Sequence, residues 1–333
     1  MIRRTVLAMA AAAVPVLLAP TAHATGNTLP LTDFGDLVVD QVHKHAYVTG
    51  AAANNSVVVT DLSGRVQKTL PNQFGATGLA LSADSGTLYV ALASGDAISV
   101  IDTVRLTETA RFPTGPQTCP THLARTDTVV WFGYGCDDVW NGRIGKLDTA
   151  ATPPAVALDQ QGDARFQKAP LVTAAGSGPL VAGQLELSLS NVHVFTVQSG
   201  TLTAGASGGA VGSNLTDMSL SPDGTTLFTA AGSRDQVDGF ATSDLSRRGG
   251  YATGPYPNAV AASPDGLKLA TGIHTTGDDV AIYRIGGTVP VDTSSLPGTS
   301  TPRGLTWSPD HQRLFAVTHE EPSNAPILTV LRP

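Results

Sequence analysis

Apolar and polar positions alternate along this chain in short bursts, and the bursts come back in the same order. His45-Ala46-Tyr47-Val48-Thr49 is followed, across a few polar residues, by Ser56-Val57-Val58-Val59-Thr60-Asp61. The same phrase returns as Leu88-Tyr89-Val90 and Ile98-Ser99-Val100-Ile101-Asp102. Period-two alternation over runs of this length predicts β-strands. Seven such strand centres fall at Tyr47, Tyr89, Trp131, Val181, Phe228, Ala270 and Phe315, spaced by 42, 42, 50, 47, 42 and 45 residues. A period of this size marks one supersecondary unit stacked repeatedly. Helical periodicity sustained over a few turns is found nowhere after the first two dozen residues.

The turns between the runs carry their own chemistry. Ser221-Pro222-Asp223-Gly224, Ser263-Pro264-Asp265-Gly266 and Ser308-Pro309-Asp310-His311 each precede a strand centre. Proline presets φ, and Asp-Gly supplies the positive φ that a tight hairpin demands. A further alternating strand follows most centres, then a weaker outer one (Val66 to Leu70, Glu108 to Phe112). Each unit therefore reads as a four-stranded antiparallel meander, and seven of them predict an all-β, seven-bladed β-propeller. A parallel β-helix would repeat every 20–25 residues or so, and a sandwich needs no internal period. The last unit has only three strands, Leu305–Trp307, Leu314–Val317 and Ile327–Leu331. An N-terminal strand, roughly Gly26 to Thr32, is expected to complete it and remove the open sheet edge.

Tyr47-Val48-Thr49-Gly50 with Ser56 to Asp61, and Leu88-Tyr89-Val90 with Ile98 to Asp102, resemble the YVTN-type β-propeller repeat. The Ser-Pro-Asp-Gly turns are shared with the wider group of WD-like and TolB-type propellers. The resemblance covers residues 25–333 as one domain, with the third and fourth units degenerate. It implies a secreted or periplasmic propeller that binds rather than reacts.

The N-terminus changes the compartment. Arg3 and Arg4, an apolar stretch from Val6 to Leu18 and the small-x-small site Ala22-His23-Ala24 form the pattern of a secretory signal peptide over residues 1–24. The stretch is too short for a membrane span, so no membrane anchor is expected. Removing it takes two arginines from a chain whose formal net charge is already −7. An acidic chain without Lys/Arg clusters is a poor partner for nucleic acid. The reading is an extracellular monomer. Cys119 and Cys136, the two cysteines of the chain, are expected to pair in that compartment. The blade scheme puts both at one end of one hairpin, where closing the loop contributes roughly 3 kcal/mol.

The same scheme sorts polar residues by face. Entries to the innermost strands, among them Asp36, His122, Asp217, Asn258 and Arg303, should converge on the mouth of the central channel. Connections between second and third strands add Trp140, His274, His319 and Glu320 to that face. Ligands favour such mouths, which makes these residues, Trp140 aside, the candidate binding set. No cofactor is predicted. A divalent metal is the one left open, because His122, His274, His319, Glu320 and Asp217 are of ligand type. No His-Glu-x-x-His pair or phosphate-cradling glycine loop occurs. Propeller lactonases and streptogramin lyases hold metals at the channel mouth, but their motifs find no residue-by-residue match here. The expected function is therefore a secreted propeller that binds a protein or a cell-wall polymer through this face. A metal-dependent hydrolase or lyase is the alternative.

Overall fold

The computed structural model describes residues 25–333 apart from 138, 210, 275–278 and 321. The leader expected over residues 1–24 lies outside the described residues. The chain forms seven four-stranded antiparallel sheets round a central channel, six of them simple meanders and the seventh completed by a strand from the N-terminal segment. Blade one is Leu37–Asp40, His45–Thr49, Ser56–Asp61 and Val66–Pro71, from channel to rim. All seven strand centres fall on the second strand of their blade, from Tyr47 in His45–Thr49 to Phe315 in Leu314–Glu320. Among the described residues the only helical element is a single 3₁₀ turn, Ala93–Gly95. No helix among them is long and apolar enough to cross a membrane.

The unbroken apolar phrases follow from burial on both sheet faces. Among the described residues the buried side chains fall into seven clusters, one for each blade–blade interface. Tyr47, Val57 and Val59 pack with Leu79, Leu88 and Val90 of blade two. Their strand neighbours Val48 and Val58 turn the other way, onto Phe315, Val317 and Leu328 of blade seven. In blade three, Val130 and Phe132 meet Tyr89 and Ile98, while Trp131 between them meets Leu180 and Phe195 of blade four. Each strand thus serves two interfaces in alternation, and a one-residue slip would exchange them.

The ring closes as expected, with a different emphasis. Asn27–Thr28 is the outermost strand of blade seven and pairs with only Leu328 and Ile327. Leu29 N donates one more bond to Pro326 O (2.8 Å), and then Pro30, which has no N–H, ends the ladder. From there the chain turns inward. Leu29, Leu31 and Phe34 are buried between blades seven and one. Apolar packing, more than strand pairing, joins the ends.

Blade seven departs from its expected form on the channel side. Its innermost strand runs Thr299–Trp307, but its register against Leu314–Glu320 jumps between Ser300 and Leu305. Residues 301–304 bulge out opposite Val317. Gly304 permits this, since a Cβ there would lie 2.6 Å from Val317 O. The Cys119–Cys136 disulfide forms at the place expected, with Cα atoms 5.0 Å apart.

Truncating Leu29 or Leu31 to alanine should lower unfolding free energy by about 2–5 kcal/mol each, the usual cost of a buried leucine. Urea unfolding of the two single variants reads it directly. Changes within error of zero would show that the N-terminal segment does not hold the ring.

Candidate functional site

Successive connections in a meander alternate between the two ends of a blade. Entries to innermost strands and second-to-third connections therefore share one face of the disc. On that face a depression of about 660 Å³ opens over the channel, lined by Phe34, Lys168, Glu186, Arg303, His319 and Asn324 among others. Below it a channel of about 410 Å³ runs between the innermost strands of all seven blades, past Leu37, Leu79, Leu123, Leu171, Val260 and Leu305. His122 and Arg303 line both spaces. They are the floor of the mouth.

The floor is a contact across the channel. Arg303, on the bulge of blade seven, donates from Nη1 to Nδ1 of His122 in blade three (2.9 Å) and from Nη2 to Gly35 O in the entry to blade one (2.7 Å). A guanidinium has no acceptor atom, so His122 accepts at Nδ1 and is the neutral tautomer protonated at Nε2. Burial, then the charges of Arg303 and Lys168, hold its pKa well below the usual histidine range. Arg303 itself sits at φ +61°, a backbone state that non-glycine residues seldom occupy. The bulge and this φ together swing the side chain into the channel.

Asp36, Asp217 and Asn258, expected as ligand groups, are occupied in joining blades. Asp36 accepts from Leu37 N (2.8 Å) and from Leu79 N of blade two (2.8 Å). Asp217 accepts from Met218 N (2.8 Å) and from Val260 N of blade six (2.7 Å). Asn258 donates to Ser300 O of blade seven (2.9 Å). An innermost strand has one edge without a neighbour, and its N–H groups need acceptors. The carboxylates of the preceding blade supply them. Burial raises both carboxyl pKa values against the pull of Arg303 and the N–H donors, that of Asp217 to about 7.

His274 and His319 come together from blades six and seven, their rings stacked with centroids 6.3 Å apart. Glu320 is exposed beside them. His122, His274, His319, Glu320 and Asp217 do not form a group of three metal-type donors within 4.8 Å. Among the described residues the one such group is Asp96, Cys119 and Cys136. Its sulfurs are bonded to each other, and the Asp96 carboxylate accepts from Gln117, Thr118 and Cys119 N (2.8–2.9 Å), fixing the loop that enters blade three. That donor set is spent on structure.

Sequence reading missed Lys168, Glu186 and, apart from Trp140, the exposed apolar rim. Lys168 is ion-paired with Glu186 across the mouth. It is delivered by the long connection between blades three and four, whose Phe166 bridges to Gly142. The 50-residue spacing between Trp131 and Val181 is the trace of that connection in the sequence. Around the mouth, Val139, Trp140, Leu189 and Tyr256 are 65%, 58%, 66% and 60% exposed. Trp140, Leu189 and Tyr256 all hold positive φ (63°, 67° and 58°). Tyr256 opens a side notch of about 270 Å³ that shares Glu186, Thr216 and Pro302 with the central depression.

Asp217 binds its proton more tightly folded (about 7) than as an ordinary carboxyl at 3.8. The stability it lends is thus fullest below about pH 4 and declines as pH rises through about 7. Asp217→Ala removes the acceptor of Val260 N and should cost about 1–3 kcal/mol. The gap between wild type and variant should be widest at about pH 4 and narrow by pH 8 in parallel melts. A gap that widens with pH would refute the buried, proton-holding carboxyl.

No protein-family model matches the chain, and no curated protein matches it in sequence. Solved structures do match in shape. A chain of the mitotic checkpoint complex aligns with a TM-score of 0.71 at 16% identity, covering 100% of this chain and 98% of that one. A chain of Kuenenia stuttgartiensis hydrazine synthase gives 0.69 at 18%, covering 92% and 97%. The β-propeller domain of Myceliophthora thermophila Cps50 (Swd1) gives 0.68 at 14%, covering 92% and 99%. At these identities the likeness is one of fold: the chain is a seven-bladed β-propeller.

Proposed function

We propose that this chain is an exported, YVTN-type propeller that binds a protein partner through its channel-mouth face. One observation carries the reading. Loops on the mouth face leave large apolar side chains in water at Val139, Trp140, Leu189 and Tyr256, the last three on backbone turned to positive φ. Left-handed backbone is unfavourable for bulky residues and serves no core packing at these positions. Exposed tryptophan and tyrosine beside a concave polar surface have the composition of an interface centre. The similar chain of the mitotic checkpoint complex is part of a complex, which favours protein over a cell-wall polymer as partner. The Cys119–Cys136 disulfide and the leader-like residues 1–24 support export.

The secreted protein should begin at Thr25 by N-terminal sequencing. As bait on the extracellular fraction and on isolated cell walls, it should retain a defined protein and no wall polymer. A Trp140→Ala, Leu189→Ser, Tyr256→Ala variant should lose that protein at least about tenfold, on the scale of lost interface anchors. Val42→Ser with Leu267→Ser, both exposed on the opposite face, should keep it. Equal retention by both variants would overturn the mouth-face assignment, and selective retention of wall polymer would reassign the partner.

A further inference from the structure

Resting on the mouth-face reading, we infer that the mouth recognises a carboxylate on the partner polypeptide, an acidic side chain or a chain terminus, by way of Arg303. The argument begins with the cost of placing this side chain. A bulge of blade seven's innermost strand, a glycine under backbone contact and a positive φ at Arg303 combine to deliver one guanidinium to the floor of the mouth. Packing needs none of this. Three other innermost strands also shift register near their entries, at Ala76/Leu79, Leu215/Asp217 and Pro257/Ala259, but by one or two residues against the four at 301–304.

The guanidinium is held but not neutralised by contact. Its two hydrogen bonds go to an uncharged imidazole and a peptide carbonyl. Among the described residues no carboxylate is ion-paired with it. Asp36 and Asp217 stand near enough to feel its charge, but each has its oxygens taken by two backbone N–H groups. Lys168, the other cation at the mouth, already has Glu186. Two of the five guanidinium donors are used, which leaves three for a ligand in a fork fixed by blades one and three. Arginine so prepared forms paired bonds to a planar oxyanion, the strong form of charge-assisted hydrogen bond.

The surroundings select the kind of anion. Asp33, Asp137 and Glu186 line the mouth. With one unpaired cation against these acids, a singly charged carboxylate is accepted and a phosphate dianion is repelled. The apolar rim and the Tyr256 notch lie beside this floor, so residues flanking an acidic group on a chain have surface to rest on.

The test follows the arginine Nε–H signals by NMR in the full secreted protein, with Arg303→Lys assigning the relevant one. The probes are blocked acetyl-Leu-Tyr-Glu-Leu-Tyr-amide, its glutamine counterpart, free glutarate and inorganic phosphate. The glutamate peptide should move the Arg303 signal saturably, and the glutamine peptide and phosphate should bind at least about tenfold more weakly, the loss of a charge-assisted pair. Glutarate matching the glutamate peptide would assign the site to a free acid and overturn the polypeptide as source. Equal binding of the two peptides, or no shift with any probe, would overturn carboxylate recognition itself. Arg303→Lys keeps the cation without the fork; read by calorimetric titration, it should bind the glutamate peptide at least about tenfold more weakly while retaining the wild-type melting temperature. Partner retention separates the two readings. If the rim variant loses the partner and Arg303→Gln keeps it, the carboxylate falls and the mouth face stands. If both variants keep it, both fall.

Discussion

Every blade of this propeller is sealed on two sides, and that mutual burial is the constraint from which the rest follows. A single meander cannot cover both of its apolar faces, so each depends on its neighbours and the ring has to close. Tyr47 and Val48 are adjacent in sequence yet belong to different interfaces, one with blade two and one with blade seven. The first blade therefore needs the last. Leu29 and Leu31 meet that need from a segment with barely any strand of its own. Closure through packing also explains why the sheet pairing at this joint can be as short as Asn27–Thr28.

A closed ring creates a second problem at its centre. Seven innermost strands each present an unpaired edge to the channel, and backbone N–H groups there must find acceptors. The chain answers with side chains from the preceding blade: Asp36 to Leu79 N, Asp217 to Val260 N and Ser219 to Ala262 N (3.0 Å). Threonines act in the same way toward carbonyls, as Thr77 does to Pro120 O (3.3 Å). Polar residues at the entries of these strands are thus a requirement of the architecture before they are anything else. The raised pKa values of Asp36 and Asp217 come from being buried for this purpose.

That requirement explains what the sequence could and could not reveal. Blade number, strand centres, the disulfide and the closing segment were legible because each depends on local alternation or on a spacing of about 45 residues. The candidate site was legible only to the level of a face. Asp36 and Asp217 look like ligand groups in sequence because an edge-capping carboxylate and a metal-binding one are the same residue type in the same loop. The Arg303–His122 contact joins positions 181 residues apart and depends on a bulge that no alternation pattern encodes. Trp140, Leu189 and Tyr256 were invisible as a group, since their only common properties are exposure and a left-handed backbone.

Function is best sought in what remains once the fold's own demands are met. Asp36, Asp217 and Asn258 are consumed in joining blades, and Asp96 in fixing the loop beside the disulfide. Lys168 and Glu186 satisfy each other. Subtracting these from the mouth leaves a half-exposed guanidinium with donors to spare and an apolar rim with nothing to pack on. Both occur at positive φ, where the backbone is less comfortable than it would be with ordinary turn residues. Core packing cannot account for such a conjunction, because neither feature touches the core. A surface that receives another chain can, because binding would cover the rim and complete the hydrogen bonding of Arg303 in one event.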